Sequence, residues 1–424
     1  MARFAGSGYN VIVDIHDHWF AGSGTRFSGV DDADDRARAN YIHHILAPSL
    51  ARAGGGDQAL NTASIVLDQS SCDARLVGPD GSFEQVHRID VIGETARRII
   101  PNGHTPNQPL MDPAHARHTG FMSPEAIAYI AETRFCVAGC GGLGSISAEA
   151  LYRLGARHFI LIDDDKLEAS NLNRWQGGTP ALVGRNKAEL LEERLDQLSG
   201  GSANCHVVPL SLTDPAVENA LASADVLIGC VDNDVARNFL NRAAVQFMLP
   251  FFDAGVNIRA GEVVDFESRF FAVLPGVTAC TECTAYDLVD HRALAIDLMD
   301  GLTARARRDA GYVEDQPAVQ SEPSAYALNL GAVSGLMIEL TNWICGLRPL
   351  ATCSYRSWQA GTAQRSDREN HREKPQPDCP ACGTLLGAGQ SVALPRPWLS
   401  EKAELLLLEA MPDTTVSPKP SKTE

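Results

Sequence analysis

Five short strings carry the residue types that phosphate chemistry uses. GCGGLG (Gly139–Gly144) places Gly139, Gly141 and Gly144 in a G-x-G-x-x-G pattern, with Gly142 inside it. Missing side chains at such a turn let the backbone approach a phosphate at a helix N-terminus. Asp163 follows nineteen residues after Gly144 and opens an acidic run that includes Asp165. An acid at a strand end there accepts ribose hydroxyls. These two features fit a nicotinamide-dependent dehydrogenase and an ATP-using enzyme equally. SNLNR (Ser170–Arg174) then supplies Asn171 and Arg174, and Lys187 lies thirteen residues further on. Two cations with amide donors suit a triphosphate, whose charge must be neutralised before displacement. Asp232-Asn233 adds a carboxylate able to hold magnesium between phosphate oxygens. Each string alone has a plainer reading: a packing turn, a surface arginine, a helix cap. Their shared order favours the phosphate site.

The elements that must position these groups are legible around them. Arg134–Ala138 reads as a buried strand running into the glycine turn, followed by a helix over Ser145–Leu154 and a second strand over His158–Ile162. A third strand, Ala224–Cys230, delivers Asp232 and Asn233. This is a strand, turn, helix, strand unit of the nucleotide-binding kind, and ligands in such sheets gather at the carboxyl ends of the strands. The expected fold class is α/β, a doubly wound Rossmann-like sheet, with a smaller α+β N-terminal domain.

The ordered set GCGGLG, LIDDD, SNLNR, GRNK and CVDN resembles the ThiF/MoeB and ubiquitin-activating-enzyme adenylyltransferases over residues 117–384. The resemblance implies that Gly141 and Asp163 hold adenosine, with Gly139, Gly142, Gly144, Asp165 and Asn233 around the nucleotide. It implies that Asn171, Arg174 and Lys187 bind the phosphates and that Asp232 holds magnesium, with Arg174, Lys187 and Asp232 catalytic. It further implies ATP-dependent adenylation of the C-terminal carboxylate of a ubiquitin-like or sulfur-carrier protein. A homodimer and handover to a ubiquitin-conjugating-like enzyme belong to the same expectation. Adenylation without thioester transfer, on a sulfur carrier or a peptide, is the alternative within the family, and the dehydrogenase is the alternative outside it. Arg117 lies near where relatives place an arginine reaching a partner protomer, but the R-Y-x-R-Q string is absent, and a solvated arginine is the reading here.

Two C-x-x-C pairs, Cys280/Cys283 and Cys379/Cys382, stand 95 residues apart. Each such turn presents two thiolates to one metal, and two turns complete tetrahedral zinc. A closed four-thiolate site leaves no open position, so its role is structural. Two separate redox pairs are the competing reading, disfavoured because neither pair opens a helix after a strand. Relatives that form a thioester carry a cysteine after the first pair, yet residues 284–344 contain none. Cys345 falls in an apolar run expected to bury it, Cys353 has no surroundings that would lower its pKa, and an alanine within Arg308–Val313 marks where a cysteine would be replaced.

Near the N-terminus, an apolar strand beginning at Val11 carries His16 and His18 on one face, followed by Ser28 and Asp31. This H-x-H…S-x-x-D string resembles the JAB/MPN (JAMM) metalloproteases, in which two histidines and an aspartate hold zinc. Residues 1–15 contain no glutamate to act as general base, and Trp19 stands where that family has proline. An incomplete or inactive JAB-like domain over residues 1–110 is the expectation, with a helix over 31–47 and strands over 63–67 and 85–92. Pairing an activating module with a JAB-like one suggests a bacterial ubiquitin-like conjugation system.

The whole chain sets the limits. Its 424 residues carry a formal charge of −17, which argues against a nucleic-acid partner, since that needs a cationic face. With 44% hydrophobic and 21% charged residues the composition is globular. The first twenty residues lack a signal-peptide pattern, and the longest apolar run, Ala327–Leu347, carries Glu339 and Asn342, which suits a core helix better than a membrane span. Eleven cysteines, an odd number in a long chain, point to reduced cytoplasmic thiols plus one metal site. A turn-rich linker is expected over Pro101–Pro113, and a C-terminal extension over 385–424 ends in a polar tail from Met411.

Overall fold

The computed structural model describes residues 11–18, 25–50, 61–68, 71–101, 113–212, 214–259, 265–284, 324–350, 353–359, 365–369, 374–389 and 394. The segment 308–313 and the tail from Met411 lie outside the described residues.

The N-terminal unit is a four-stranded sheet in the order β1 (Val11–Asp17), β2 (Asn61–Leu67), β3 (Cys72–Val77), β4 (Phe83–Gln85), with β1 parallel to β2 and the other pairs antiparallel. The helix α1 (Gly29–Tyr41) continues through a π turn, Ile42–Leu46, into α2 (Ala47–Leu50). Arg75 fastens helix to sheet. Its guanidinium reaches Asp35 at 2.7 Å and Asp32 at 2.6 Å, and stacks on Phe27 and Phe83 at 3.7 and 3.8 Å. The strand expected over 85–92 is divided at His87. Gln85 ends β4, and β5 (Ile89–Ile92) forms a hairpin with β6 (Ala96–Ile99). That hairpin docks on the second unit through Arg88 to Asp225 at 2.5 Å and Arg98 to Glu132 at 3.5 Å, and Trp343 donates from Nε1 to Gly93 O at 3.1 Å.

The second unit follows the chain order α3 (Pro124–Glu132), β7 (Arg134–Ala138), α4 (Gly142–Leu154), β8 (His158–Ile162), α5 (Lys187–Ser199), β9 (Asn204–Val208), α6 (Val217–Ala222), β10 (Val226–Gly229), α7 (Asp234–Phe247), β11 (Phe251–Arg259), β12 (Asp265–Val273), α8 (Thr281–Thr284), α9 (Tyr326–Cys345), β13 (Cys353–Gln359), β14 (Arg365–Glu369). Its eight-stranded sheet runs β14-β13-β12-β11-β10-β7-β8-β9. The five strands from β11 to β9 are parallel and the other three antiparallel. Strands such as HFILI and VLIG are apolar on both faces because helices cover both. Phe135, Val137, Phe159 and Leu161 join one core with α4, α5 and α9, while Cys136, Ala138, Ile160 and Ile162 join the other with α6 and α7. The fold is therefore doubly wound α/β. Trp343, 1% exposed against Phe252 and Tyr129, is a principal plug of the first core; truncating it to alanine would cost about 3–5 kcal/mol.

The parallel order β11-β10-β7-β8-β9 reverses direction between β7 and β10. A crevice opens at such a switch point, outside the strand ends. Both the glycine turn and Asp232 follow those two strands directly. No described helix is long and apolar enough to cross a membrane.

Candidate functional site

Gly139 leaves β7 with φ +88°, a conformation that favours glycine. A Cβ there would sit 2.7 Å from Cys230 O, so the turn and the end of β10 are in backbone contact. A Cβ on Gly144 would lie 1.9 Å from Gly139 O, so only glycine lets the helix fold back this tightly. Gly141 is the N-cap of α4 and supplies no side chain to bond the first-turn amides. The helix begins at Gly142, three residues before the expected Ser145. No side-chain cap from Gly141 takes up its first-turn amides, which lie beside the switch point.

Asp163, just past β8, faces the same turn. Its carboxylate accepts from Cys140 N at 2.6 Å and from Asp165 N at 2.8 Å. Burial nevertheless pushes its pKa up to about 6, against the opposing pull of Lys187 and the two amides. Lys187 is placed by Asn186, whose Nδ2 donates to Asp163 O and Asp165 O and whose Oδ1 caps α5. The Lys187 side chain, 12% exposed, pairs with Asp165 at 2.7 Å. Burial works against its charge, but Asp165, Asp163 and Asp232 together raise its pKa. That coupling brings Asp232, on the far side of the switch point, into the same electrostatic cluster. Asp232 itself is exposed.

Arg174 is half-buried, with its stem against Gly142; Cγ lies 3.1 Å from where a Cβ of that glycine would be. Its Nη1 donates to Ser170 O at 2.8 Å and to Asn173 Oδ1 at 3.1 Å. The structure thus brings Gly139, Gly141, Gly142, Gly144, Asp163, Asp165, Arg174, Lys187 and Asp232 around one crevice. Two neighbours are engaged locally. Asn171 Oδ1 accepts from Glu168 N, closing a short 3-10 turn, and Asn233 Oδ1 caps α7 through Ala236 N. Arg117 is exposed, as a solvated arginine would be.

Several site residues escape a reading of the strings. Trp175 donates from Nε1 to Cys140 O at 2.8 Å and so clamps the SNLNR segment to the glycine turn. Gln176 N donates to Ser145 Oγ at 3.0 Å, and Tyr326 donates to Gln176 Oε1. Asn329, on α9, lies against Gly142. A polar residue in the mainly apolar run that also carries Glu339 and Asn342 was the available signal for it.

The four cysteines of the two pairs converge. Sγ separations are 3.8 Å for Cys280–Cys283, 3.6 Å for Cys280–Cys379 and 3.7 Å for Cys283–Cys382. Four thiolates at about 2.3 Å from a tetrahedral zinc stand about 3.8 Å apart, so the donor set fits that ion. Hydrogen bonds from Cys280 draw Cys283 and Cys379 toward the thiolate. Gln376 N donates to Cys283 Sγ at 3.3 Å, as an outer partner of a metal thiolate does. Burial raises the pKa of Cys72, Cys136, Cys140, Cys205, Cys230 and Cys345; the side chain of Cys353 is not among those described.

His16, His18 and Asp31 also meet, with one ligand atom from each within 4.8 Å of the others. His16 Nε2 lies 3.1 Å from Asp31 Oδ1 and His18 Nε2 3.4 Å from Asp31 Oδ2, while His16 Nδ1 lies 3.2 Å from Asp14 Oδ2. Two imidazoles and a carboxylate fit a zinc donor set with an open position. The same S-x-x-D string is also a capping box: Ser28 Oγ accepts from Asp31 N, and Asp31 accepts from Ser28 N.

The ThiF family profile matches residues 115–381. Ubiquitin-like modifier-activating enzyme 5 of Aedes aegypti is 28% identical over 274 residues, covering 59% of this chain and 66% of that protein. The sulfur carrier protein ThiS adenylyltransferase of Escherichia coli (strain K12) is 32% identical over 123 residues, covering 29% of this chain and 49% of that one. The chain thus spans between about half and two thirds of the length of these curated relatives. The crystal structure of E. coli MccB with ATP superposes with a TM-score of 0.47 at 20% identity, over 64% of this chain and 75% of that one. The matched segment takes in well over half of the residues, from the turn before α3 to just past Cys379, and contains the whole crevice: the chain belongs to the ThiF family.

Proposed function

We propose that this chain adenylates the C-terminal carboxylate of a small ubiquitin-like or sulfur-carrier protein with ATP. The observation that carries the reading is the convergence of Arg174, Lys187 and Asp232 with the glycine turn and Asp163 at one switch-point crevice. Asp163 would accept the ribose hydroxyls, and the first-turn amides of α4 would hold phosphate oxygens. The carrier's carboxylate is ionised at neutral pH and needs no general base. One of its oxygens attacks the α-phosphorus as the bond to the bridging oxygen breaks, and pyrophosphate leaves with that electron pair. Lys187 and Arg174 would absorb the charge that develops on the phosphates. Asp232 would hold magnesium, which when bound supplies further neutralisation. A nicotinamide dehydrogenase leaves both cations without a task.

The four cysteines would hold a structural zinc, supported by their spacing and burial. By likeness to the family, the protein would work as a cytoplasmic homodimer and pass the activated carrier to a conjugating enzyme or a sulfur donor. The segment in which the family carries its thioester cysteine, residues 284–344, contains none, which favours adenylation alone. The His16/His18/Asp31 cluster supports a JAB-like ancestry for residues 1–110 and, without an upstream glutamate, an inactive one.

ATP–pyrophosphate exchange tests the central claim. Purified protein should exchange label only when given a cognate carrier with a free C-terminus. Absence of exchange across a panel of such carriers, together with binding of NADH, would overturn it.

A further inference from the structure

Asn329 sits in the first turns of α9, a helix whose neighbours in sequence are apolar, and is only 2% exposed. Its backbone amide donates to Ala325 O. Its side-chain Oδ1 has no hydrogen-bond partner among the described residues. Leaving that oxygen unpaired costs about 1–3 kcal/mol.

A phosphate, itself an acceptor, would leave Oδ1 as it is, and the end of the carboxamide able to meet one is Nδ2. The Nδ2 end lies 2.5 Å from the point where Gly142 would carry a Cβ, and Arg174 Cγ and Cδ lie 3.1 and 3.3 Å from that same point. Asn329, the aliphatic stem that carries the Arg174 guanidinium, and the first residue of α4 therefore meet at one corner of the crevice. Nothing lies within 4 Å of the position a Cβ would take on the adjacent Gly141. The corner is held firmly from the α9 side. Asn173 Nδ2 donates to Ser324 O at 3.3 Å, and Tyr326 bonds Gln176, which is itself tied to Ser145 of α4.

Backbone amides of a helix start and a guanidinium are both donors, and the guest they share must be an acceptor carrying negative charge. We infer that Asn329 is a further nucleotide-binding residue, donating from Nδ2 to a phosphate oxygen held between the start of α4 and Arg174. The carboxamide adds an uncharged donor to that corner. This assignment rests on the ATP reading proposed above.

Calorimetric titration of the full chain with ATP and, separately, with adenosine tests it, alongside the melting temperature. Asn329→Leu keeps the approximate size and removes both polar ends. It should weaken ATP about tenfold and leave adenosine within about twofold. Its melting temperature should hold or rise, because an unpaired buried amide has gone. Asn329→Asp places a negative charge beside the phosphates and should weaken ATP further; it carries the test if the leucine variant does not fold. Wild-type ATP affinity in either folded variant overturns the assignment, as does an equal loss for ATP and adenosine. A wild-type chain that binds no ATP overturns the adenylation reading and this one together. Wild-type binding with unaffected variants overturns this one alone.

Discussion

Asp163 and Asp31 each accept two hydrogen bonds near a helix start, yet they sit in opposite electrostatic states. At Asp163 burial outweighs Lys187 and two backbone amides, and the pKa rises to about 6. At Asp31 burial is more than offset by the amide and hydroxyl of Ser28 and by His18 and His16, and the pKa falls below the ordinary carboxylate value. The difference extends to the neighbours. Around the glycine turn, Asn329 Oδ1 has no hydrogen-bond partner among the described residues and the N-cap of α4 supplies no side-chain bond. Around His16, the imidazole lies between two carboxylates and Asp31 closes a capping box. The glycine turn leaves groups for a guest to meet, whereas the histidine cluster finds hydrogen-bond partners among its own residues.

The sulfur cluster offers the most severe way to sharpen this contrast. Cys280, Cys283 and Cys379 are buried, and four close thiols have little reason to share that space without a cation. Cys379→Ser, or stripping metal with a strong chelator, should lower the melting temperature by more than about 10 °C, since structural zinc contributes several kcal/mol at least. His16→Ala with His18→Ala should shift it by no more than a few degrees. Elemental analysis showing no zinc in the purified chain would break the first half of this expectation. Next in size are Lys187→Ala and Asp232→Ala, each expected to reduce ATP–pyrophosphate exchange by about 10²–10³-fold with the fold intact. The two histidine substitutions should leave exchange unchanged. Exchange that follows the histidines instead would mean that the small sheet takes part in the reaction.

How much of this was legible beforehand depended on sequence distance. The glycine turn, Asp163, Arg174 and Lys187 lie within fifty residues in one βαβ path, and spacing alone brings them together. Asp232 was legible because a parallel strand must end at the same edge. Asn329 and Tyr326 were not, because they reach Gly142 and Gln176 across more than 140 residues through the packing of α9 on α4. β3, Cys72–Val77, was missed because Asp73 and Arg75 interrupt its apolar pattern; both turn inward, Arg75 to Asp32 and Asp35, and Asp73 to Gln85. The strings themselves were sometimes ambiguous in a physical sense. S-x-x-D is both a metal-ligand pattern and a capping box, and here it demonstrably serves as the second.

The aspartate pair itself gives the finest test, because the sign of the effect reverses between the two. For Asp163 the folded pKa, about 6, lies above the unfolded value near 3.9, so its ionisation opposes folding. The stability it contributes is present in full below about pH 4 and is lost as pH rises through about 6. Asp163→Asn should therefore stabilise the chain at pH 7, on the order of 1–3 kcal/mol, while weakening nucleotide binding. For Asp31 the folded pKa lies below the unfolded one, so its contribution is present above about pH 4 and lost as pH falls through the folded value. Asp31→Asn should destabilise at pH 7 by about 1 kcal/mol, the scale of a helix cap, and the difference from wild type should vanish in acid. Denaturant melts of both variants at pH 7, repeated for the Asp31 pair in acid, read the two signs directly. If both substitutions destabilise alike, Asp163 is an ordinary structural carboxylate, and the crevice around it is no less complete than the histidine cluster.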